Sequence, residues 1–400
     1  MTDDVVIVGA SVGGVRTAEA LRRRGFGGRI TLIGAEPHLP YDRPPLSKAF
    51  LTGQAAAGDL ALLDDERLGR LGLELRLGQR AAALDGPARQ VRLVSGEPVP
   101  FGAVVIATGS LPRRLPAVDD WTGVHVLRTL DDATAVRAAL AAGARVAVIG
   151  GGFIGAEVAW SARALGLDVA IIDPLPALMA RGLGPALGKV LAARHAEHGV
   201  TLRLGRSVAR AEGAGRVERL VLDDGTSLDA DVVVVGIGAD PAVGWLAGSG
   251  LPVDGGLCCD AWLRVRGTDS VYAVGDVARW PSARYDGPVR REHWTNAGEA
   301  ALAVAAALTG TPAPFDPLPY VWSDQLGARV QVFGQVRPGD ELLYVEGGPK
   351  EAEFVAACGG GGRLQAVVAL GSRRAALRWE RLLHSGLAWV DGYGPADPAD

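Results

Sequence analysis

Val5-Val6-Ile7-Val8-Gly9-Ala10-Ser11-Val12-Gly13-Gly14 carries an apolar, strand-forming run straight into a glycine-rich turn. A helical pattern leaves the turn, with Val15, Ala18 and Leu21 on one face and Arg16, Glu19, Arg22 and Arg23 on the other. A second apolar run, Ile30 to Ile33, follows, and Glu36 stands at its end. Strand, tight turn, helix and strand make a βαβ unit whose first turn offers a helix N-terminus to a dinucleotide pyrophosphate. The acid after the second strand is positioned to accept hydrogen bonds from an adenosine ribose. Ser11 stands where the G-x-G-x-x-G fingerprint has its second glycine; a side chain this small still lets the backbone approach phosphate.

The same pattern recurs. Val146-Ala147-Val148-Ile149 reads as a buried strand, and Gly150-Gly151-Gly152-Phe153-Ile154-Gly155 matches the fingerprint in full. A helix is predicted from Phe153 to Leu165 and a strand from Val169 to Ile172, ending at Asp173. The first glycine and the acid are 23 positions apart, close to the spacing of roughly 20 that the fingerprint requires. Between the two copies, the strand Phe101 to Ile106 runs into Ala107-Thr108-Gly109, and Pro112 and Pro116 mark a domain crossing. Later, Val232 to Val235 leads to Gly236-Ile237-Gly238-Ala239, and Val271 to Val274 leads to Gly275-Asp276. Helical signal resumes from Asn296 to Leu308, and the proline-rich stretch Thr311 to Pro319 reads as a linker. Beyond it, Arg329 to Phe333 alternates as a half-buried strand, further strands fall at 341–345, 354–357 and 364–370, and Ser372 to His384 forms an amphipathic helix. That tail has the pattern of a small α+β domain.

The totals exclude several classes. A formal charge of -4 over 400 residues lacks the basic footprint of a nucleic-acid binder. No apolar run reaches the roughly 18–20 residues of a membrane span, and acids precede Val5 where a signal peptide would be basic. Three cysteines suit a reducing compartment, so the expected location is cytoplasmic. The high glycine content, 56 residues, agrees with many close backbone turns.

Two dinucleotide turns, the Ala-Thr-Gly strand end and the Val-Gly-Asp strand end, in this order, resemble the two-dinucleotide-binding flavoprotein reductases. The loop Pro40-Tyr41-Asp42-Arg43-Pro44-Pro45-Leu46-Ser47-Lys48 resembles that of the FAD-dependent NADH:ferredoxin reductases of oxygenase systems. So do Glu292-His293-Trp294-Thr295-Asn296-Ala297 and Tyr320-Val321-Trp322-Ser323-Asp324-Gln325. The resemblance spans essentially the whole chain. It implies an α/β fold with two Rossmann-like dinucleotide-binding domains, of the glutathione-reductase-like kind, and a C-terminal α+β interface domain. The FAD-binding domain would be discontinuous, 1–110 and 240–318, with an NAD-binding domain at 111–239 and the interface domain at 319–400.

By resemblance, Gly9, Ser11, Gly13 and Gly14 hold the FAD pyrophosphate and Glu36 its ribose, while Arg43, Ala107, Thr108, Gly109, Arg113 and Gly275 also line the cofactor. Asp276 would bond the ribityl chain; a plain helix N-cap is the commoner use of such an aspartate. Lys48 would lie beside the reactive edge of the flavin, paired with Glu157. Read on sequence alone, Arg43 and Lys48 could equally be solvated loop cations and Glu157 a helix-surface acid. A cation there stabilises negative charge on reduced flavin, and the carboxylate helps to orient the nicotinamide. Gly150, Gly152, Phe153, Ile154 and Gly155 would bind NADH, with Asp173 favouring its 2′-hydroxyl over a phosphate and Gly238 and Ala239 near the nicotinamide. Trp294 and Trp322 would cover the flavin, although core packing is the more usual task of a tryptophan.

The expected reaction is hydride transfer from NADH to FAD, then single-electron transfer to an iron–sulfur ferredoxin, expected to be acidic, that serves a cytochrome P450 or Rieske oxygenase. No C-x-x-C occurs and the Arg43–Lys48 loop has no cysteine, so a second redox centre is not expected; Cys258-Cys259 reads as a pair of small buried side chains. Arg373, Arg374, Arg378 and Arg381 give a helix a basic face that would steer an acidic partner, with Arg284, Arg290 and Arg291 as rivals. A rubredoxin reductase or NADH oxidase on the same scaffold, and a redox-sensing flavoprotein without turnover, are the alternatives. A mere binder would have no need of the Lys48/Glu157 pair.

Overall fold

A computed structural model describes residues 3–285, 287–392 and 394–395; the outermost ends of the first and last expected domains therefore lie outside the described residues. The chain forms two compact units: one of residues 1–42, 58–111 and 239–317, the other of 43–57, 112–238 and 318–400.

The first unit is built on a five-stranded sheet with the strands in the order Val271–Ala273, Ala103–Ile106, Asp4–Val8, Arg29–Ile33 and Leu73–Arg76. All four pairings are parallel. Val5 to Val8 are all buried, without alternation, as befits a strand covered on both faces. Val8 is in register with Ile33 on one side and Ile106 on the other, so three strands end at one edge of the sheet. The turns that follow them therefore gather at the carboxyl edge, where open α/β sheets bind ligands. Helix Val12–Arg23 buries Val15, Ala18 and Leu21 and packs against helix Trp294–Leu308, whose inner face is largely alanine and lets the two backbones approach.

Two expectations need adjusting here. The strand expected from Phe101 begins only at Ala103; Pro98–Pro100 pairs instead in a separate antiparallel sheet, and Phe101 bonds its N–H to Arg89 O between the two. The 311–319 stretch has no regular structure, yet it is fastened. Phe315 is buried and its N–H donates to Ala261 O at 2.7 Å, while the Asp316 carboxylate accepts from Ser282 Oγ at 2.6 Å and from two backbone N–H groups.

The second unit contains the repeat of this design: parallel strands in the order Val200–Leu204, Val169–Asp173, Val146–Ile149, Val232–Val235 and Val124–Val126. Helix Phe153–Ala164 follows the second glycine turn. An antiparallel sheet, in the order Tyr320–Gln325, Ala328–Gly334, Arg363–Leu370, Phe354–Gly360 and Glu341–Gly347, lies in the same unit and is covered by helix Arg373–His384. Strand Ala328–Gly334 was expected to be half-buried, but Val330 to Gly334 are all buried. Its Val330 and Val332 join an apolar core with Val148 and Ile171 of the parallel sheet, while Phe333 joins Ala376, Trp379 and Leu383 of the covering helix. A strand sandwiched in this way loses its alternation. Among the described residues, no helix is long and apolar enough to cross a membrane.

Candidate functional site

In the first unit, Gly9 has φ 121°, and a Cβ there would lie 2.1 Å from Ala107 O. A Cβ on Gly14 would lie 2.0 Å from Gly9 O, and one on Gly13 would press at 3.0 Å on Val274. Only glycine permits this closure of strand, turn and helix. Ser11 is the N-cap of helix Val12–Arg23, whose first turn carries no acid, so the helix end is electrostatically open to an anion. Glu36, half-buried after strand Arg29–Ile33, accepts a hydrogen bond from the Tyr41 hydroxyl at 2.5 Å. At the neighbouring strand ends, Thr108 Oγ1 donates to Ala242 O at 2.9 Å and Gly109 O accepts from Ala242 N–H. Gly275, at φ 76°, opens the short turn Gly275–Val277, in which Asp276 Oδ2 accepts from buried Ser110 Oγ at 2.7 Å. Trp294 begins helix Trp294–Leu308, and its Nε1–H donates to Asp42 Oδ1 at 2.6 Å. Beside it, burial foremost and the charge of Arg291 push the His293 imidazole down to about 4 against the opposing pull of Asp276; its Nδ1 is buried without a hydrogen-bond partner. This set of shape-enforcing glycines, an acid-free helix end and an orphaned ring nitrogen matches the needs of a bound dinucleotide.

In the second unit, Gly150 has φ 110° with Gly236 O 2.3 Å from where a Cβ would be, and a Cβ on Gly155 would lie 1.9 Å from Gly150 O. Nothing lies within 4 Å of a Cβ on Gly152, which leaves room for phosphate above the turn. Phe153 is half-buried and Ile154 is exposed at the start of the helix. Asp173 is already engaged: Oδ2 accepts from Gly151 N–H at 2.6 Å and Oδ1 from Leu175 N–H at 2.7 Å. The carboxylate thus braces the very turn it follows and keeps lone pairs for a further donor. Gly238, at φ 113°, accepts from Arg113 N–H through its carbonyl at 2.9 Å. Arg43 precedes the 3-10 turn Pro44–Ser47 and donates from Nη1 to Arg128 O at 2.8 Å.

Lys48 and Glu157 meet: Nζ lies 3.0 Å from Oε1, with the carboxylate 2% exposed and the lysine 18% exposed. Glu157 also accepts from Ser47 Oγ at 2.5 Å and Ser323 Oγ at 2.7 Å. Three donors converge on this one buried carboxylate and hold it still. Trp322 lies on the opposite face of its strand from Ser323, stacked on Tyr320 at 5.9 Å with the Arg329 guanidinium over its ring.

Residues 3–301 match the family model for the pyridine nucleotide-disulphide oxidoreductases, and residues 320–399 match the reductase C-terminal model. The chain belongs to the pyridine nucleotide-disulphide oxidoreductase family. It is 39% identical to the anthranilate 1,2-dioxygenase system ferredoxin–NAD(+) reductase component of Burkholderia cepacia, over 99% of this chain and 97% of that one. It is 36% identical to the rhodocoxin reductase of Rhodococcus erythropolis, over 92% and 87% of the two chains. The solved covalent putidaredoxin reductase–putidaredoxin complex superposes with TM-score 0.92 at 33% identity, covering 96% of this chain and 94% of that one.

The disulphide in the family's name has no counterpart in the cysteines of this member. Cys258, Cys259 and Cys358 are all free. Burial pushes the Cys259 and Cys358 thiols up to about 12, which keeps them protonated and poor nucleophiles. Reading the sequence did not single out Ser47, Ser110, Gln325 or His195 for a role. Ser323 and Gln325 stand two apart on a strand, and both are buried, a polar pair on the inward face. His195 continues the i+4 stripe of Leu187 and Leu191 on the part of Ala180–Glu197 that follows the break in the helix at Gly184. A polar residue inside an apolar stripe is the signal that could have found it.

Proposed function

We propose that the chain is an NADH-dependent reductase that supplies electrons to an iron–sulfur ferredoxin serving a cytochrome P450 or Rieske-type oxygenase. The observation that carries this reading is its end-to-end likeness to a ferredoxin–NAD(+) reductase component, 39% identical over 99% of the chain. FAD, when bound, would supply the redox chemistry, accepting an electron pair from NADH and releasing electrons one at a time.

The protein's part is to bind, orient and shield. Gly9, Ser11, Gly13 and Gly14 receive the FAD pyrophosphate at the open helix end, Glu36 and Asp276 take hydroxyls of its two sugar moieties, and Ala107, Thr108, Gly109 and Gly275 form the adjoining backbone wall. Arg43 and Arg113 add positive charge, and Trp294 and Trp322 exclude water. Gly150, Gly152, Phe153, Ile154 and Gly155 seat the NADH pyrophosphate, Gly238 backs the nicotinamide half, and a 2′-phosphate would meet the charge of Asp173. Lys48 offers positive charge at the reacting edge while Glu157 fixes its position; their 3.0 Å contact supports this division of labour. The corresponding domains are 1–110 with 240–318 for FAD, 111–239 for NAD and 319–400 for the partner. Free thiols agree with a cytoplasmic location.

Anaerobic stopped-flow with NADH, followed by cytochrome c reduction with and without an added ferredoxin, tests the reading. Rapid flavin bleaching with strong stimulation by ferredoxin is the expected result. Bleaching that no ferredoxin can harvest would point to an oxidase, and no bleaching to a binding protein.

A further inference from the structure

A chain of hydrogen bonds runs from Glu157 into the interior, and the chemistry of each member fixes the direction of the next bond. Gln325 Oε1 lies 2.7 Å from His195 Nε2. An amide oxygen only accepts, so His195 carries its hydrogen on Nε2. Its Nδ1 is buried with no partner, and burial favours the neutral ring. The Gln325 amide nitrogen then donates to Ser323 Oγ at 2.9 Å, with Met179 Sδ as its second neighbour at 3.4 Å. Having accepted that bond, Ser323 directs its own hydrogen to Glu157 Oε1 at 2.7 Å. Turning the amide over would point the Ser323 hydrogen at Gln325 instead. Ser323 Oγ and Glu157 Oε1 would then face each other with no hydrogen between them, in a site where His195, Ser323, Gln325 and Glu157 are each at most 2% exposed.

We infer that His195 is a positioning residue for the Lys48–Glu157 pair, acting through Gln325 and Ser323. Its Nε2–H sets the amide, the amide sets the hydroxyl, and the hydroxyl holds the Glu157 side chain in place against Lys48. The inference rests on the functional reading of that pair given above and adds the groups that hold it. Without the histidine donor, the amide is free to turn, and Glu157 loses one of its three donors with no change in the pair itself.

Holoprotein labelled with 15N-histidine, which has only six histidines to resolve, gives the first test. The His195 signals should be those of the Nε2–H tautomer; an Nδ1–H tautomer overturns the relay with no variant required. The second test is the limiting rate of flavin reduction by NADH. His195→Leu and Ser323→Ala should each slow it by roughly five- to tenfold with little change in NADH affinity. The double variant should be no slower than Ser323→Ala alone, because both changes act on one carboxylate, whereas losses that multiply would show independent structural effects and refute the relay. His195→Gln, which keeps a donor near the Nε2 position, should recover the rate. Lys48→Met, measured alongside, separates the two ideas: a parental rate there defeats the reading of the pair, while the tautomer still judges the relay.

Discussion

Lys48 is one charge on one carboxylate, and its removal is the simplest test of what the pair does. Lys48→Met should leave FAD bound and slow flavin reduction at least tenfold, about 1.4 kcal/mol in the barrier, since the lost term acts on charge that develops during reaction. Stopped-flow against an unchanged flavin content checks this. Asp173 serves two ends at once. Asp173→Ala should narrow the preference for NADH over NADPH and also weaken both, because Gly151 N–H loses its 2.6 Å acceptor. Asp173→Asn keeps an acceptor oxygen while dropping the charge, so it should narrow the preference with the smaller loss of affinity; the two dissociation constants measured for each variant decide the matter. At Gly155 there is no such latitude. With a backbone oxygen 1.9 Å from any Cβ, Gly155→Ala should abolish NADH binding or folding of the turn, read by NADH titration and circular dichroism.

Helices carry two further expectations. His293 stands at the N-terminal end of helix Trp294–Leu308 without a side-chain capping bond, and its imidazole is held down to about 4 from 6.5. Between those values the unfolded chain binds a proton that the folded chain refuses, so stability rises with pH across this window and is lost as pH falls through it. The melting temperature should therefore decline from pH 6.5 towards pH 4, and less steeply in His293→Gln. On helix Arg373–His384, the four arginines at 373, 374, 378 and 381 are exposed, opposite buried Ala375, Ala376, Trp379 and Leu383. Arg374→Glu with Arg381→Glu should raise KM for an acidic ferredoxin several-fold, more at low salt than at high, and leave reduction by NADH untouched. These elements were legible in the sequence because their signals are local: the apolar run before each glycine turn, the 3.6-residue stripe of the last helix, the acid after each second strand. The relay was not, since Ser47 and Ser323 reach Glu157 across 110 and 166 positions and no short-range pattern announces them. The same holds for strand Ala328–Gly334, in which Gln331 and Phe333 are buried along with Val330 and Val332.

Each unit of the molecule has a core of its own, and the second draws Val330, Val332 and Phe354 of the antiparallel sheet into one apolar cluster with Val148, Ile171 and Leu187. A chain cut after Pro317 should therefore not keep a sound nucleotide domain: it should melt at lower temperature than the intact protein and bind a hydrophobic dye in the folded state. An unchanged melting profile would show the shared core to be dispensable. Glu157 adds an ordering in time. Its lysine and first serine lie ahead of it in the chain, but Ser323 lies far behind. During synthesis on the ribosome, the second glycine turn can emerge and close well before this serine exists. The nascent protein can thus possess a nucleotide fold while its central carboxylate still lacks a ligand, and the final sheet, by arriving, completes the pair.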